Sequence, residues 1–173
     1  MHREASSQRR AAALGGSAPT DADVDRLRSL VQTFVRSFGL LVVKETPCGH
    51  PISLSSAHAL MVLLDRMRGG EDTSQADLAS RLGIDKSNVA RLCARLEESG
   101  HVEQERAPDD GRSRLVRLTA AGSRLAHNIE RSSHDRFRRV TSSIPARKRS
   151  AVLDSLVVFN AAVESLGSEQ GVE

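Results

Sequence analysis

The feature that most constrains this chain is a spacing. Ala79 is followed after three residues by Gly83, and Gly83 after five residues by Val89. Ala79 is small where a second helix must cross closely. Gly83 permits the positive φ that turns a chain sharply between two helices. Val89 and Leu92 then fall on the face that packs back onto Leu78, Leu82 and Ile84. The flanking residues agree. Thr73 is placed to cap a short helix from Ser74 to Leu82, and Asp85 to cap another from Lys86 to Ser99. Gly100 stops that second helix as a left-handed residue. The pattern predicts a helix-turn-helix, against the plainer alternative of an ordinary helical hairpin.

The rest of the chain is mostly helical in pattern. Val24, Leu27, Val31, Phe34, Phe38 and Leu41 recur at steps of three and four and predict an amphipathic helix from Asp21 to about Lys44. Asp21, Asp23 and Asp25 suit the positive end of its dipole. Thr46-Pro47-Cys48-Gly49-His50-Pro51 predicts a loop. Ser55 or Ser56 can cap a second helix to about Met67, with Leu60, Leu63 and Leu64 inward and Gly69-Gly70 ending it. Residues 101–106 and 113–118 read as two strands, joined by Ala107-Pro108-Asp109-Asp110-Gly111, because Asp-Gly is a strong hairpin signal. Thr119 caps a long fifth helix to about Thr141, with Leu125, Ile129, Phe137 and Val140 apolar. Pro145 suits the first turn of a last helix, although Ile144 is a poor cap. Its stripe is Val152, Leu156, Phe159, Val163 and Leu166.

Composition excludes several classes. The chain has no Trp, no Tyr and four Phe among 173 residues. Binders of single-stranded nucleic acid stack bases on aromatic side chains, and this chain lacks them. Aromatic-lined carbohydrate or cofactor grooves are unsupported for the same reason. No apolar run approaches a membrane span. Arg9-Arg10 is followed by too short an apolar stretch for an export signal. Cys48 and Cys93 make no disulfide framework, so the expected compartment is the cytoplasm. The net charge of +3 is uninformative until partitioned. Residues 54–122 carry 10 basic and 11 acidic residues, whereas residues 123–150 carry 8 basic and 2 acidic. Any recognition of DNA must therefore rest on where particular side chains project.

The fourth helix projects them suitably. Val89, Leu92, Cys93 and Leu96 form an inner stripe, and Cys93 reads as core. Lys86, Ser87, Asn88, Arg91 and Arg95 point outward. The first turns of such a helix reach base edges in the major groove of a duplex. Asn pairs with adenine and Arg with guanine in a bidentate way, so Asn88 and Arg91 are candidate base readers. Lys86 and Ser87 are candidate phosphate contacts. Arg95 is either a backbone contact or solvated. Thr73 and Ser74, at the start of the third helix, can hold a phosphate through free backbone N–H groups. Arg112 and Arg114 flank the hairpin tip, from which an Arg can enter the narrow minor groove. Asp110 reads as structural, paired with Arg112 or Arg106. The plainer reading of the tip is a solvated turn.

Four runs together resemble the MarR family of transcriptional regulators. They are Leu78-Ala79-(x3)-Gly83 with Lys86-Ser87-Asn88-Val89-Ala90-Arg91-Leu92; Leu96-Glu97-(x2)-Gly100-(x)-Val102; Arg106-(x3)-Asp110-Gly111-Arg112; and Leu118-Thr119-(x2)-Gly122. The resemblance spans about residues 21–166. It implies a mainly α fold with a small β-hairpin wing: a winged helix-turn-helix domain plus a helical dimerisation domain. In that layout residues 1–20 are a flexible tail, and residues 21–50 a dimerisation helix and loop. Residues 51–122 are the winged helix-turn-helix domain, residues 123–166 the remaining dimerisation helices, and residues 167–173 a disordered end. The resemblance further implies a homodimer on a palindromic double-stranded operator. Each fourth helix would lie in a major groove and each wing in the flanking minor groove. It implies a ligand-responsive repressor, or less often an activator.

The sensed signal is open. Cys48, His50 and His58 lie close in sequence. His127, Glu130 and His134 share a face of the fifth helix at 100° per residue. Together these thiol, imidazole and carboxylate groups suit tetrahedral zinc, loosely similar to a zinc-sensing branch of the family. Cys48 beside histidines is alternatively a reactive thiol. The third reading is a small organic effector between the dimerisation and DNA-binding parts, or none. A winged-helix protein-interaction module without DNA binding is the alternative to a regulator, but it would favour apolar residues on the outer face of the fourth helix. No G-x-S-x-G, P-loop, H-E-x-x-H or paired-carboxylate pattern supports an enzyme.

Overall fold

The computed structural model describes residues 18–42, 44–107 and 113–170. The expected flexible tail over residues 1–17, the wing-tip residues Asp110 and Arg112, and residues 171–173 lie outside them.

The order is α1 (Asp21–Phe38), α2 (Leu54–Arg68), α3 (Gln75–Leu82), α4 (Lys86–Glu98), β1 (Val102–Arg106), β2 (Arg114–Leu118), α5 (Ala120–Ser143), a 3₁₀ turn (Ala146–Lys148) and α6 (Arg149–Gln170). The strands pair antiparallel from Val102 opposite Leu118 to Arg106 opposite Arg114. Leu60, Leu64, Leu78, Leu92, Leu96, Val116 and Ile129 form the centre of one core. It is drawn from α2, α3, α4, the ribbon and α5. Each such buried leucine contributes roughly 1.5–3 kcal/mol. Neither α1 nor the described side chains of α6 are buried.

Several boundaries differ from expectation for identifiable reasons. The first helix stops at Phe38, well short of Lys44. Gly39 adopts a left-handed φ of 81°, and the N–H groups of Gly39 and Leu40 close onto Arg36 and Val35. Ser53, rather than Ser55 or Ser56, caps α2 by accepting from the Ser56 N–H. Ser74, rather than Thr73, caps α3. Its hydroxyl and the Asp77 carboxylate form a reciprocal box. Helix α5 runs on to Ser143, and the extended Ile144 precedes Pro145 as residues before proline prefer. Pro145 opens the 3₁₀ turn, so α6 starts at Arg149. The Arg149 guanidinium satisfies the carbonyls of Thr141 and Ile144. Helix α6 continues to Gln170, beyond the fade-out expected after Gly167.

The predicted turn is present. Gly83 has φ 63° and caps α3, and Gly100 has φ 71° after α4.

Candidate nucleic-acid interface

Asp85 starts α4 as its N-cap, accepting from the Asn88 N–H at 2.8 Å. Its carboxylate also accepts from Ser87 Oγ at 2.7 Å and Asn88 Nδ2 at 2.5 Å. The Ser87 hydroxyl and then the Asn88 backbone hold Asp85 below the ordinary carboxylate range. Asn88 Oδ1 in turn accepts from Arg91 Nη2 at 2.6 Å. The two predicted base readers therefore touch. This link was not foreseen, although i, i+3 spacing on a helix surface was the available signal.

The two faces of α4 separate as expected. Val89, Leu92, Cys93 and Leu96 are buried, while Lys86, Ser87, Asn88, Arg91 and Arg95 are exposed. Burial, and then Glu97, pushes the Cys93 thiol up to about 11. Lys86 and Arg95 have no ion-pair partner among the described residues.

The start of α3 corrects one expectation. Thr73 is 3% exposed, and its hydroxyl accepts from Arg66 Nε at 3.2 Å. The Ser74 N–H expected to be free for a phosphate instead donates to Asp77 Oδ2 at 3.0 Å. Ser74 is half-buried, and its hydroxyl donates to Asp77 at 2.7 Å.

On the ribbon, Arg106 and Arg114 face each other at the distal end, both exposed. Like charges directly opposite are unfavourable in isolation, so an anion set against this end relieves the pair. Arg117, further in, is committed to Asp72 and Glu105.

The α3 and α4 residues of this candidate interface fall in a recognisable segment. Residues 50–113 match the model of the MarR family. The chain is 30% identical over 94 residues to an uncharacterized HTH-type transcriptional regulator, YdgJ, of Bacillus subtilis (strain 168). That stretch is 54% of this chain and 57% of the relative, so the match spans under two thirds of the relative's length. Among solved structures, FabT of Streptococcus pneumoniae in complex with DNA is similar, with TM-score 0.70 and 17% identity. The likeness covers 83% of this chain and 99% of FabT. The PcaV regulator of Streptomyces coelicolor with its natural ligand is similar at TM-score 0.62 and 20% identity, over 85% of this chain and 99% of PcaV. These likenesses show the fold.

Within this fold, the Leu118-Thr119-(x2)-Gly122 run gains a physical reason. Thr119 caps α5 by accepting from the Gly122 N–H at 3.0 Å. A Cβ on Gly122 would lie 1.8 Å from the His101 carbonyl oxygen. Leu-Thr-x-x-Gly thus lets α5 pass closely over the entry to the ribbon.

The candidate metal ligands are not assembled. Glu130 is bidentate to Arg68 at 2.7 and 2.8 Å, and this pairing holds its carboxyl low. His127 Nδ1 donates to the Ser123 carbonyl at 2.7 Å, and His134 accepts from Arg138. His50 bonds Ser132. Among the described residues, no three His, Cys, Asp or Glu could hold a metal ion together. Cys48 and His58 do share a cavity of about 390 Å³ with Phe34, Phe38, Met61 and Phe137. Arg136 also lines it. Its Nη atoms donate to the carbonyls of Pro47 and Phe38, and its guanidinium lies 4.7 Å from the Phe38 ring centroid. Its Nε is buried without a hydrogen-bond partner.

Proposed function

We propose that this chain is a transcriptional regulator that binds a palindromic double-stranded operator as a homodimer, acting as a ligand-responsive repressor in the cytoplasm. The observation that carries the reading is the outer face of α4, where Lys86, Asn88, Arg91 and Arg95 stand exposed over a fully apolar inner stripe. An interaction module would present apolar groups there, so DNA is the favoured partner. The reading is of a binding protein rather than an enzyme.

A second copy of the chain is supported by α1 and α6. Val24, Leu27 and Phe34 on one, and Leu153, Leu156 and Val163 on the other, are about half exposed. Faces of this size and hydrophobicity bury against a partner. Two symmetry-related α4 helices then match two half-sites about one duplex turn apart.

For the effector, the reading is a small organic anion with an apolar body. The cavity between α1, α2 and α5 is mainly apolar, and the unsatisfied Arg136 Nε wants an acceptor. Zinc is the weaker reading, because Glu130 is already committed to Arg68.

The test is a gel shift on the DNA upstream of the chain's own gene, repeated with phenolic acids, zinc, a chelator and a peroxide. Specific retardation released by a phenolic acid supports the full reading. Release by zinc alone would replace the effector, and no specific retardation would reject the regulator.

A further inference from the structure

A two-stranded ribbon is marginal by itself, and its outer edges carry unpaired backbone groups. Here both edges are occupied. On the β2 side, Val116 N donates to Thr73 O at 2.8 Å, and Ser74 bridges Leu115. On the β1 side, the acceptor is a side chain of the recognition helix. Glu97, in the last turn of α4, accepts from Gln104 N at 3.1 Å through one oxygen and from Gln104 Nε2 at 2.8 Å through the other. Gln104 Oε1 accepts from Gln75 Nε2 at 2.5 Å, at the first residue of α3. Gln104 is thus the meeting point of the ribbon and both helices of the helix-turn-helix.

We propose that Gln104 is a positioning residue for DNA recognition, fixing through Glu97 the angle between α4 and the wing. The inference rests on the DNA-binding reading above. Bonds to a carboxylate are stronger than neutral ones, and this one uses both carboxylate oxygens on a single residue. Arg106 and Arg114 lie two residues further out, about 7 Å along the ribbon. A rotation at the Gln104 level therefore moves the distal arginines relative to Arg91. Packing of the Val102 and Val116 side chains is non-directional, so the angle rests on the Gln104 bonds at one edge and on the Val116 N to Thr73 O bond at the other.

The chemistry allows a test by exchange. Gln104→Glu sets a carboxylate against the Glu97 carboxylate. Combining it with Glu97→Gln restores an amide facing a carboxylate, and Gln75 can still donate to the new acid. The full-length protein is used in two assays. One is amide hydrogen exchange of β1 without DNA. The other is hydroxyl-radical footprinting with affinity on duplex DNA from upstream of its own gene.

For Gln104→Glu we expect β1 exchange to quicken and affinity to fall, each about tenfold. Protection should be lost at the outer flanks and kept at the half-site centres. The double exchange should restore both to within about twofold. Unchanged β1 exchange and intact flank protection in Gln104→Glu would overturn the proposal. So would an even loss across the footprint that the double exchange does not repair. Failure of the wild type to bind duplex DNA is a separate outcome, seen before any variant is made, and it removes the regulator reading together with this role.

Discussion

Arg91 Nη2 donates to Asn88 Oδ1 at 2.6 Å on the outward face of α4. Because Asn88 Nδ2 is held by Asp85, the cap of the helix orients the guanidinium through one intervening amide. Under the proposed DNA-binding reading, Asn88 is expected to act by aiming Arg91. Asn88→Ala should weaken operator binding about tenfold. Arg91→Ala should weaken it by about 10- to 100-fold. The double variant should be little worse than Arg91→Ala, since residues in one network are not additive. Titration of all three by fluorescence anisotropy checks this; strict additivity would separate the two residues.

Among the described glycines, Gly122 leaves the least room for a side chain. With its Cβ position 1.8 Å from the His101 oxygen, Gly122→Ala must push α5 off the ribbon. A loss of about 2–3 kcal/mol is expected, a fall in Tm of roughly 5–10 °C. Thermal unfolding followed by circular dichroism measures it. An unchanged Tm would mean that α5 does not pass His101 this closely.

Local signals were the legible ones. The turn at Gly83, the cap at Asp85 and the inner stripe of α4 depend on neighbours within one or two helical turns, so spacing discloses them. Where adjacent residues offer equal chemistry, sequence is mute. Thr73 and Ser74 both carry a capping hydroxyl. The choice falls to Ser74 because Thr73 is drawn into the core and its carbonyl pairs with Val116. The end of α1 shows the opposite case. Apolar periodicity continued to Leu41, but the left-handed Gly39 overrode it. The candidate metal ligands are not brought together among the described residues, and Glu130 is engaged by a long-range partner. Nothing near Glu130 in sequence announces Arg68, which lies 62 residues away.

The helix caps predict an acid-sensitive helix-turn-helix. Asp85 and Asp77 are held below the ordinary carboxylate range, mainly by the hydroxyls of Ser87 and Ser74. A lowered folded pKa gives stability that is present above the unfolded value of about 3.9 and is lost as pH falls through the folded value. The amides of Asn88 and Asp77 should therefore stay protected from pH 7 to about pH 5, then exchange faster as pH drops below about 4. Residue-resolved hydrogen exchange reads this. Loosening near pH 6 would point to a histidine instead.

The two cysteines should react unequally. Cys93 is fully buried, with its thiol pushed up to about 11. At pH 8 only about one part in a thousand is thiolate. Cys48 is half-buried on the cavity wall. Iodoacetamide at pH 8 should label Cys48 in the folded protein and Cys93 only after denaturation, as read by mass spectrometry. A phenolic acid seated in the cavity should slow the labelling of Cys48.

The central claim is that α4 reads a duplex. Its most direct test is the binding of wild type and Arg91→Ala to the upstream palindrome and to a scrambled duplex of equal length, at one fixed salt concentration. The wild type should prefer the palindrome, and Arg91→Ala should lose most of that preference while remaining folded. Equal binding of the palindrome by both proteins would contradict it.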